Sequence, residues 1–259
     1  MQNELNIVGI QADLVWENPS ENRAQFENII HQLQNDVDLI VLPEMFSTGF
    51  TMNPSFVAEK MSDKTIVWMQ QIAKEKNVAI CGSLVISEAD NFYNRFVFVF
   101  PSGKIEMYNK RHSFSLAGED KVFTSGKEKL IINYKGWKIC PLICYDLRFP
   151  VWSRNVENYD LLIFMANWPV TRINAWDILL KARAIENMSF TIGVNRVGFD
   201  ANNYEYSGHS AIIDFLGKEI STLQSNKKGI IEATLHKEKQ EEIREKLGFL
   251  NDKDEFTIQ

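Results

Sequence analysis

Three side chains, widely spaced along the sequence, have the types needed for nucleophilic catalysis: a thiol, a carboxylate and an ammonium group. The thiol candidate is Cys144, which ends the apolar run 137–144. At a turn from a buried strand into a helix, a thiol is expected to be exposed, and the helix N-terminus favours its thiolate. Cys81 and Cys140 lie inside apolar runs, where a cysteine is usually an inert core residue. The pattern therefore favours Cys144 as the nucleophile.

Glu44 and Lys110 are the candidate base and the candidate electrostatic group. Glu44 directly follows the apolar run 39–43, and partial burial beside its apolar neighbours would suit it to general-base catalysis. Lys110 ends the strand-like run 105–109 and could hold a fixed ammonium group against an oxyanion, a contact typically worth about 3–4 kcal/mol of barrier. Each also has an ordinary interpretation, as a solvated loop acid or a surface cation, so neither residue is decisive alone.

The motifs around these residues occur in the order typical of the nitrilase superfamily of carbon–nitrogen hydrolases. They cover residues 42–46, 108–112, 143–150 and 208–210. The chain resembles that superfamily from about Leu5 to Leu235, and the stretches 143–150 and 166–169 are similar to its omega-amidase branch, enzymes that deamidate 2-oxoglutaramate. This resemblance implies an amidase that acts through a cysteine thioester and needs no metal or organic cofactor.

The resemblance also implies roles for individual residues. It assigns a catalytic triad to Glu44, Lys110 and Cys144, with the backbone N–H of Tyr145 joining Lys110 at the oxyanion. A second glutamate, which the superfamily has in the loop after the lysine, corresponds to Glu119, and Asp120 is the alternative at the neighbouring position.

Several residues near these motifs are candidates for binding the substrate. A guanidinium group can bind a carboxylate with two parallel hydrogen bonds, so Arg148 or Arg172 could anchor an acidic amide, although Arg148 could equally brace the turn after Cys144. Aromatic residues at strand ends could form the pocket wall, and Met45 could serve in the same way. The aromatic candidates are Phe46, Phe114 and Trp168.

Other functions remain open at the level of the sequence. In a Cys–His mechanism, His112 or His209 would be the base, but neither has a recognisable partner acid in the sequence. We interpret His209 as structural and His112 as solvated. The remaining alternatives are an amidase of broader specificity, an acyltransferase that uses the same thioester, and a binding module without catalysis.

The elements that must position these residues follow from the hydrophobic pattern. Strand-like runs begin at Leu5–Ala12 and recur to Gly229–Leu235, and they alternate with helical patterns in the first half of the chain. The predicted helices start at Ser20 and Ser62, cover Pro150–Val156 and Ile173–Met188, and end with His236–Leu247. We therefore predict an α/β fold, a four-layer α-β-β-α sandwich with two mixed sheets, formed by residues 1–259 as a single domain.

Composition limits the partners and the compartment. The net charge is −6 and no cluster of lysine and arginine forms a stripe, which argues against nucleic acid and anionic membranes as partners. Three cysteines and four scattered histidines indicate neither a disulfide framework nor a metal site. With no signal peptide or long apolar segment recognised, we expect a cytoplasmic protein. The family resemblance implies a homodimer with the helices 150–156 and 173–188 at its interface.

Overall fold

The computed structural model describes residues 2–258 and, within them, forms two six-stranded sheets that pack face to face between helices. In chain order the elements are β1 (Glu4–Gln11), α1 (Pro19–His31), β2 (Leu39–Val41), α2 (Pro54–Val57), α3 (Lys64–Lys76), β3 (Ala79–Glu88), β4 (Asn91–Val99), β5 (Ile105–Asn109), β6 (Ile132–Tyr134), β7 (Trp137–Ile143), α4 (Pro150–Ser153), β8 (Leu161–Ala166), α5 (Ile173–Asn187), β9 (Phe190–Asn195), β10 (Val197–Phe199), β11 (Glu205–Ser207), β12 (Ala211–Ile213), β13 (Glu219–Thr222), β14 (Gly229–His236) and α6 (Lys237–Leu247).

Both sheets are mixed, as the sequence predicts. The first has the order β14-β1-β2-β3-β4-β5, and its central strands β1, β2 and β3 are parallel. The second has the order β13-β12-β9-β8-β7-β6, and its strands β7, β8 and β9 are parallel. The outer strands of both sheets pair in antiparallel fashion. The prediction of a four-layer α/β sandwich is therefore confirmed.

Strand β1 shows how the two layers of core arise from the alternation of its side chains. Leu5 and Ile7 point into the core between the two sheets, whereas Val8 and Ile10 point into a second core beneath α1 and α3. At Gly9 a Cβ atom would lie 2.7 Å from a side-chain carbon of Val194 in the second sheet. A larger residue at this position would push the two sheets apart.

Three local predictions differ from the structure. Helix α1 begins at Pro19 rather than Ser20, because the side chain of Asn18 caps it by accepting from Glu21 N at 3.2 Å. Helix α3 begins after Asp63, one residue beyond the expected Ser62 cap. The predicted helix Pro150–Val156 is shorter in the structure, where α4 ends at Ser153.

Four residues that meet at one site lie after the ends of four strands. Glu44 follows β2, Lys110 follows β5, Cys144 follows β7 and Asn167 follows β8. The first two strands belong to one sheet and the last two to the other, so face-to-face packing brings the four strand ends together. No helix within residues 2–258 is both long enough and apolar enough to cross a membrane.

Candidate active site

Glu44 is fully buried, and both of its carboxylate oxygens accept hydrogen bonds. Lys110 Nζ donates to Oε1 at 3.0 Å, and Asn94 Nδ2 donates to the same oxygen at 2.8 Å. The backbone N–H of Asn167 donates to Oε2 at 2.8 Å, and the Asn167 side-chain amide donates to the carbonyl oxygen of Glu44 at 2.7 Å. The carboxylate of Glu44 is therefore held by donors from both sheets.

Lys110 lies between two glutamates. Its Nζ is 2.9 Å from each carboxylate oxygen of Glu119 as well as 3.0 Å from Glu44 Oε1. Burial alone would lower the pKa of Lys110, but the negative charges of Glu119 and Glu44 outweigh it and hold the pKa above its ordinary value. The ammonium group therefore stays charged at neutral pH.

Glu119 is buried by a tight loop, whereas its neighbour Asp120 is exposed. Gly118 adopts a φ of +77°, which starts the 3-10 turn 119–121 and directs Glu119 inward. Burial raises the pKa of Glu119, against the opposing attraction of Lys110, and the charge of Glu44 adds to the rise. Of the two candidate second acids, Glu119 is thus the one beside Lys110.

Cys144 lies at the sharp turn that follows β7, with a φ of +45°. This left-handed conformation is unfavourable for a residue with a side chain and persists only where the surroundings hold it. The thiol is buried, with 9% of the residue exposed, and burial together with the charge of Glu44 raises its pKa, although Lys110 opposes the rise. The expectation of an exposed thiolate is therefore wrong. Desolvation of the buried thiol raises its pKa, and the short 3-10 turn that begins at Cys144 does not offset this rise.

A cavity of about 700 Å³ opens at Cys144. Of the predicted substrate-binding residues, five line it: Phe114, Tyr145, Arg148, Trp168 and Arg172. The guanidinium of Arg148 lies 5.1 Å from the centre of the Trp168 ring, and that of Arg172 lies 5.0 Å from the centre of the Phe114 ring. Within the described part of the chain neither guanidinium forms an ion pair, so both are free to bind an anion in the cavity.

Phe46 and Met45 do not line this cavity, and the prediction that they form its wall is wrong. Phe46 is fully buried between the first sheet and its helices, where its ring packs edge-on against Phe26 at 5.6 Å. Met45 packs into a small separate cluster with Val57 and Phe123. In the turn at residues 44–46, only the carboxylate of Glu44 points toward Cys144. The side chains of Met45 and Phe46 pack into hydrophobic clusters instead.

Two buried asparagines complete the site but were not identified from the sequence. Asn94, on β4, donates to Glu44 Oε1 and also to Glu119 Oε1 at 3.2 Å. Asn167 follows β8 and contacts Glu44 as described above. Asn94 could have been identified from the sequence, because it lies on the same strand as the apolar run 96–99. A polar side chain in such a strand is usually buried and then needs a hydrogen-bond partner.

Both histidine candidates have partner acids, contrary to the expectation from the sequence. His112 Nδ1 lies 2.8 Å from Asp146 Oδ1, and its ring stacks on Phe149 at 3.6 Å, so this side chain is not simply solvated. His209 Nδ1 lies 3.0 Å from Asp177 Oδ2. Neither histidine lines the cavity at Cys144, so the geometry does not favour a Cys–His pair. No group of three or more metal-ligating side chains occurs among residues 2–258.

Comparisons with known proteins extend over nearly the whole chain. The family model for carbon-nitrogen hydrolases matches residues 7–245. The chain is 40% identical over 256 residues to the omega-amidase YafV of Yersinia enterocolitica, with 98% of both chains covered. It is 33% identical over 248 residues to the 2-oxoglutaramate amidase of Bacillus subtilis, with 94% of this chain and 95% of the relative covered. The structure of a CN-hydrolase superfamily protein from Xanthomonas campestris, with an arsenic adduct in its active site, superposes with a TM-score of 0.97 at 36% identity over 100% of both chains.

Proposed function

The chain belongs to the carbon–nitrogen hydrolase family, and we propose that it is an omega-amidase. In this function it hydrolyses the terminal amide of small ω-amido 2-oxo acids, such as 2-oxoglutaramate, to the acid and ammonia. One observation carries the proposal: the buried cluster Glu44–Lys110–Glu119 lies beside Cys144 at a cavity lined by two arginines that form no ion pair within residues 2–258. The relatives named omega-amidase and 2-oxoglutaramate amidase support the same substrate class.

In the proposed first step, Glu44 removes the proton of the Cys144 thiol as the sulfur attacks the amide carbon. The raised pKa of Cys144 keeps it a neutral thiol before the reaction, so a base beside it is required. The carbon–sulfur bond forms, and the carbonyl electron pair moves onto oxygen. The Lys110 ammonium and the Tyr145 backbone N–H stabilise the resulting oxyanion.

The tetrahedral intermediate then collapses in the direction of the thioester. Glu44 gives its proton to the amide nitrogen, the carbon–nitrogen bond breaks, and ammonia leaves. In the second half of the reaction Glu44 takes a proton from water, which adds to the thioester carbon. The carbon–sulfur bond breaks, the sulfur regains the proton, and the acid is released. Glu119 acts by holding Lys110 in place with both carboxylate oxygens.

Arg148 and Arg172 give the cavity its preference for an acidic amide. A guanidinium that binds the distal carboxylate fixes the amide carbon against Cys144, so that binding energy is converted into orientation of the reacting groups. The aromatic rings of Trp168 and Phe114 hold the two guanidinium groups at the cavity wall. A neutral amide or nitrile of the same length lacks this anchor.

The decisive experiment compares kcat/KM for 2-oxoglutaramate, a neutral amide of similar length and a simple nitrile on one enzyme preparation. We expect the acidic amide to be preferred by at least about 100-fold, as one charge-assisted anchor allows. Arg172→Met and Arg148→Met, measured separately, identify the anchoring residue by a raised KM and lowered kcat for the acidic amide alone. The neutral amide is the internal control for each variant. Equal values for the three substrates would contradict the omega-amidase assignment.

We also propose that the protein acts as a cytoplasmic homodimer. The three cysteines, which form no disulfide in the described chain, suit a reducing compartment. Exposed apolar residues on and near α4 and α5 support an interface between two copies. Acyl transfer to an acceptor other than water is the alternative outcome of the same thioester, and product analysis separates it from hydrolysis.

A further inference from the structure

A chain of hydrogen bonds leads from the backbone of Met45 to both glutamates of the site. The Met45 N–H donates to Ser83 Oγ at 2.8 Å, and Ser83 Oγ lies 2.9 Å from Asn94 Oδ1. Asn94 Nδ2 then donates to Glu44 Oε1 at 2.8 Å and to Glu119 Oε1 at 3.2 Å. Ser83 and Asn94 are buried in the middle of β3 and β4, so no solvent competes for these contacts.

The direction of every hydrogen bond in this chain is fixed at its first member. A backbone N–H can only donate, so Ser83 Oγ accepts from Met45 and its own hydrogen is left for Asn94. That hydrogen requires the carbonyl oxygen of the Asn94 amide to face Ser83. The amide nitrogen must therefore face the two glutamates, to which it can only donate.

We propose that Ser83 and Asn94 are positioning residues that keep Glu44 in the unprotonated form in which it can act as a base. With the amide nitrogen between them, the facing oxygens of Glu44 and Glu119 must both be acceptors, and neither can carry a proton there. With the amide reversed, its oxygen would face two carboxylates, and one of them would have to bind a proton. This inference rests on the proposed role of Glu44 and goes beyond it by naming what maintains that role.

The charged and titratable groups around Glu44 make this control necessary. Lys110, Glu119 and Cys144 face it, which places two carboxylates and a thiol around a single ammonium group. Burial favours uptake of a proton by such a cluster, because a single cation leaves one negative charge uncompensated. The two N–H groups of Asn94 lower the energy of the doubly ionised pair without adding a charge.

The test removes the Ser83 hydroxyl, which fixes the orientation of the Asn94 amide. Ser83→Ala leaves the Asn94 amide free to reverse, whereas Ser83→Thr retains the hydroxyl. Ser189→Ala is the matched control, because the Ser189 hydroxyl is buried without a hydrogen-bond partner in the described chain. The readouts are the pH dependence of Cys144 alkylation by iodoacetamide, with the site identified by tandem mass spectrometry, and that of kcat/KM. Alkylation needs no turnover, so it tests the inference even if 2-oxoglutaramate is not the substrate.

In Ser83→Ala the acidic limb of both profiles should move to higher pH by about one unit, since a lost hydrogen bond to a charged group is worth about a factor of ten. KM at the pH optimum should stay within about twofold, whereas Ser83→Thr and Ser189→Ala should follow the unmodified protein. Asn94→Ala should move the acidic limb to still higher pH. If Asn94→Ala does not fold, the profiles of Ser83→Ala alone test the inference. An unshifted limb in Ser83→Ala, or an equal shift in Ser83→Thr, would overturn the inference. Failure of the proposed function would instead leave every amide unhydrolysed by the unmodified protein.

Discussion

At the scale of single residues, Cys144 differs from the other two cysteines in backbone conformation rather than in burial. All three thiols are buried, and burial raises the pKa of each. Cys144 alone among them has a positive φ, lines the cavity and lies within the field of Glu44 and Lys110. In the proposed mechanism, its reactivity therefore depends on a base that acts during the attack, and not on a thiolate that exists beforehand.

Replacement of the proposed nucleophile should separate catalysis from folding. We expect Cys144→Ala to remain folded and to lose at least about 10³-fold in kcat, because no other group in the cavity can form the thioester. Cys140→Ala, a matched change in the core of β7, should retain kcat and lower the free energy of unfolding by about 1 kcal/mol. Ammonia release and urea denaturation measure the two effects. Substantial turnover by Cys144→Ala would refute the thioester mechanism.

Glu119 should contribute to stability in a pH-dependent manner. Because its pKa is raised in the folded protein, its contribution is fully present below the ordinary value of 4.5 and is lost as the pH rises through the raised pKa. In Glu119→Gln this dependence disappears. The difference in unfolding free energy, unmodified protein minus variant, should therefore fall with rising pH, by up to about 1.4 kcal/mol per pH unit. Urea denaturation at a series of pH values measures this difference in unfolding free energy. A difference that grows with pH would contradict a raised pKa of Glu119 in the folded protein.

At the scale of elements, Asp146 joins the strand end that carries Lys110 to the turn that carries Cys144. Its carboxylate accepts from four donors: the His112 N–H at 3.0 Å, His112 Nδ1 at 2.8 Å, the Tyr108 hydroxyl at 2.8 Å and the Ile143 N–H at 3.0 Å. Tyr108 is the penultimate residue of β5 and Ile143 is the last residue of β7, so one buried carboxylate sets the distance between two strand ends in different sheets. The bond to Ile143 also spans Cys144 and holds its strained backbone.

Asp146→Asn should therefore weaken catalysis more than substrate binding. An asparagine has one acceptor oxygen for four donors, and a displacement of about 1 Å between Cys144 and Lys110 can reduce kcat by about 100-fold, with KM changed far less. Asp160→Asn is the matched control, because Asp160 is also buried and accepts from Lys237 and Arg244 away from the cavity. It should lower stability without lowering kcat. An equal loss of kcat in both variants would assign the effect to general destabilisation.

Most helices and strands could be predicted from the sequence. The features that were missed show where the local sequence pattern is insufficient. The run Leu161–Ala166 is β8 to the residue, because six consecutive apolar residues are too few for a typical helix and suit a strand that is buried on both faces. The hairpin β10–β11 was not predicted, since each of its strands has only three residues and they are joined by a polar turn. The partner acid of His112 is 34 residues away in the sequence, and no local pattern indicates such a pair.

At the scale of the whole molecule, the cavity is an assembly of loops from both sheets. Trp16 and Phe50 reach it from the first sheet, Tyr145 and Trp168 from the second, and Tyr206 from the hairpin β10–β11. The sequence motifs identified Cys144 and Tyr145 after β7 and Trp168 after β8, but not Asn167 between β8 and Trp168. The wall residues of the first sheet were missed, and Phe46 was misplaced, because which aromatic side chain faces a cavity depends on how two sheets pack.

The outer surface of the second sheet's helical layer bears on the proposed dimer. Ile178 and Ile185 lie seven residues apart on one face of α5, and both are more than half exposed. Leu216 is equally exposed and follows the same surface, since Ile185 contacts the turn at Gly217. Val151 and Val156 extend the apolar surface at α4, whose following segment is tied to the end of α5 by Asn155 and Asn187. A surface of this kind is typical of an interface that excludes water.

The double variant Ile178→Glu/Ile185→Glu should be a folded monomer. Both side chains are exposed in the single chain, so the change costs little in folding, whereas four buried carboxylates in a symmetric interface would be strongly unfavourable. Light scattering after gel filtration, at micromolar concentration, should give about twice the chain mass of 29.9 kDa for the unmodified protein and the chain mass for the variant. Phe56→Glu is the control, because Phe56 is exposed on α2 beside the other sheet and should leave the dimer intact. A double variant that keeps the doubled mass would place the interface elsewhere, and an unmodified protein with the mass of one chain would exclude the dimer.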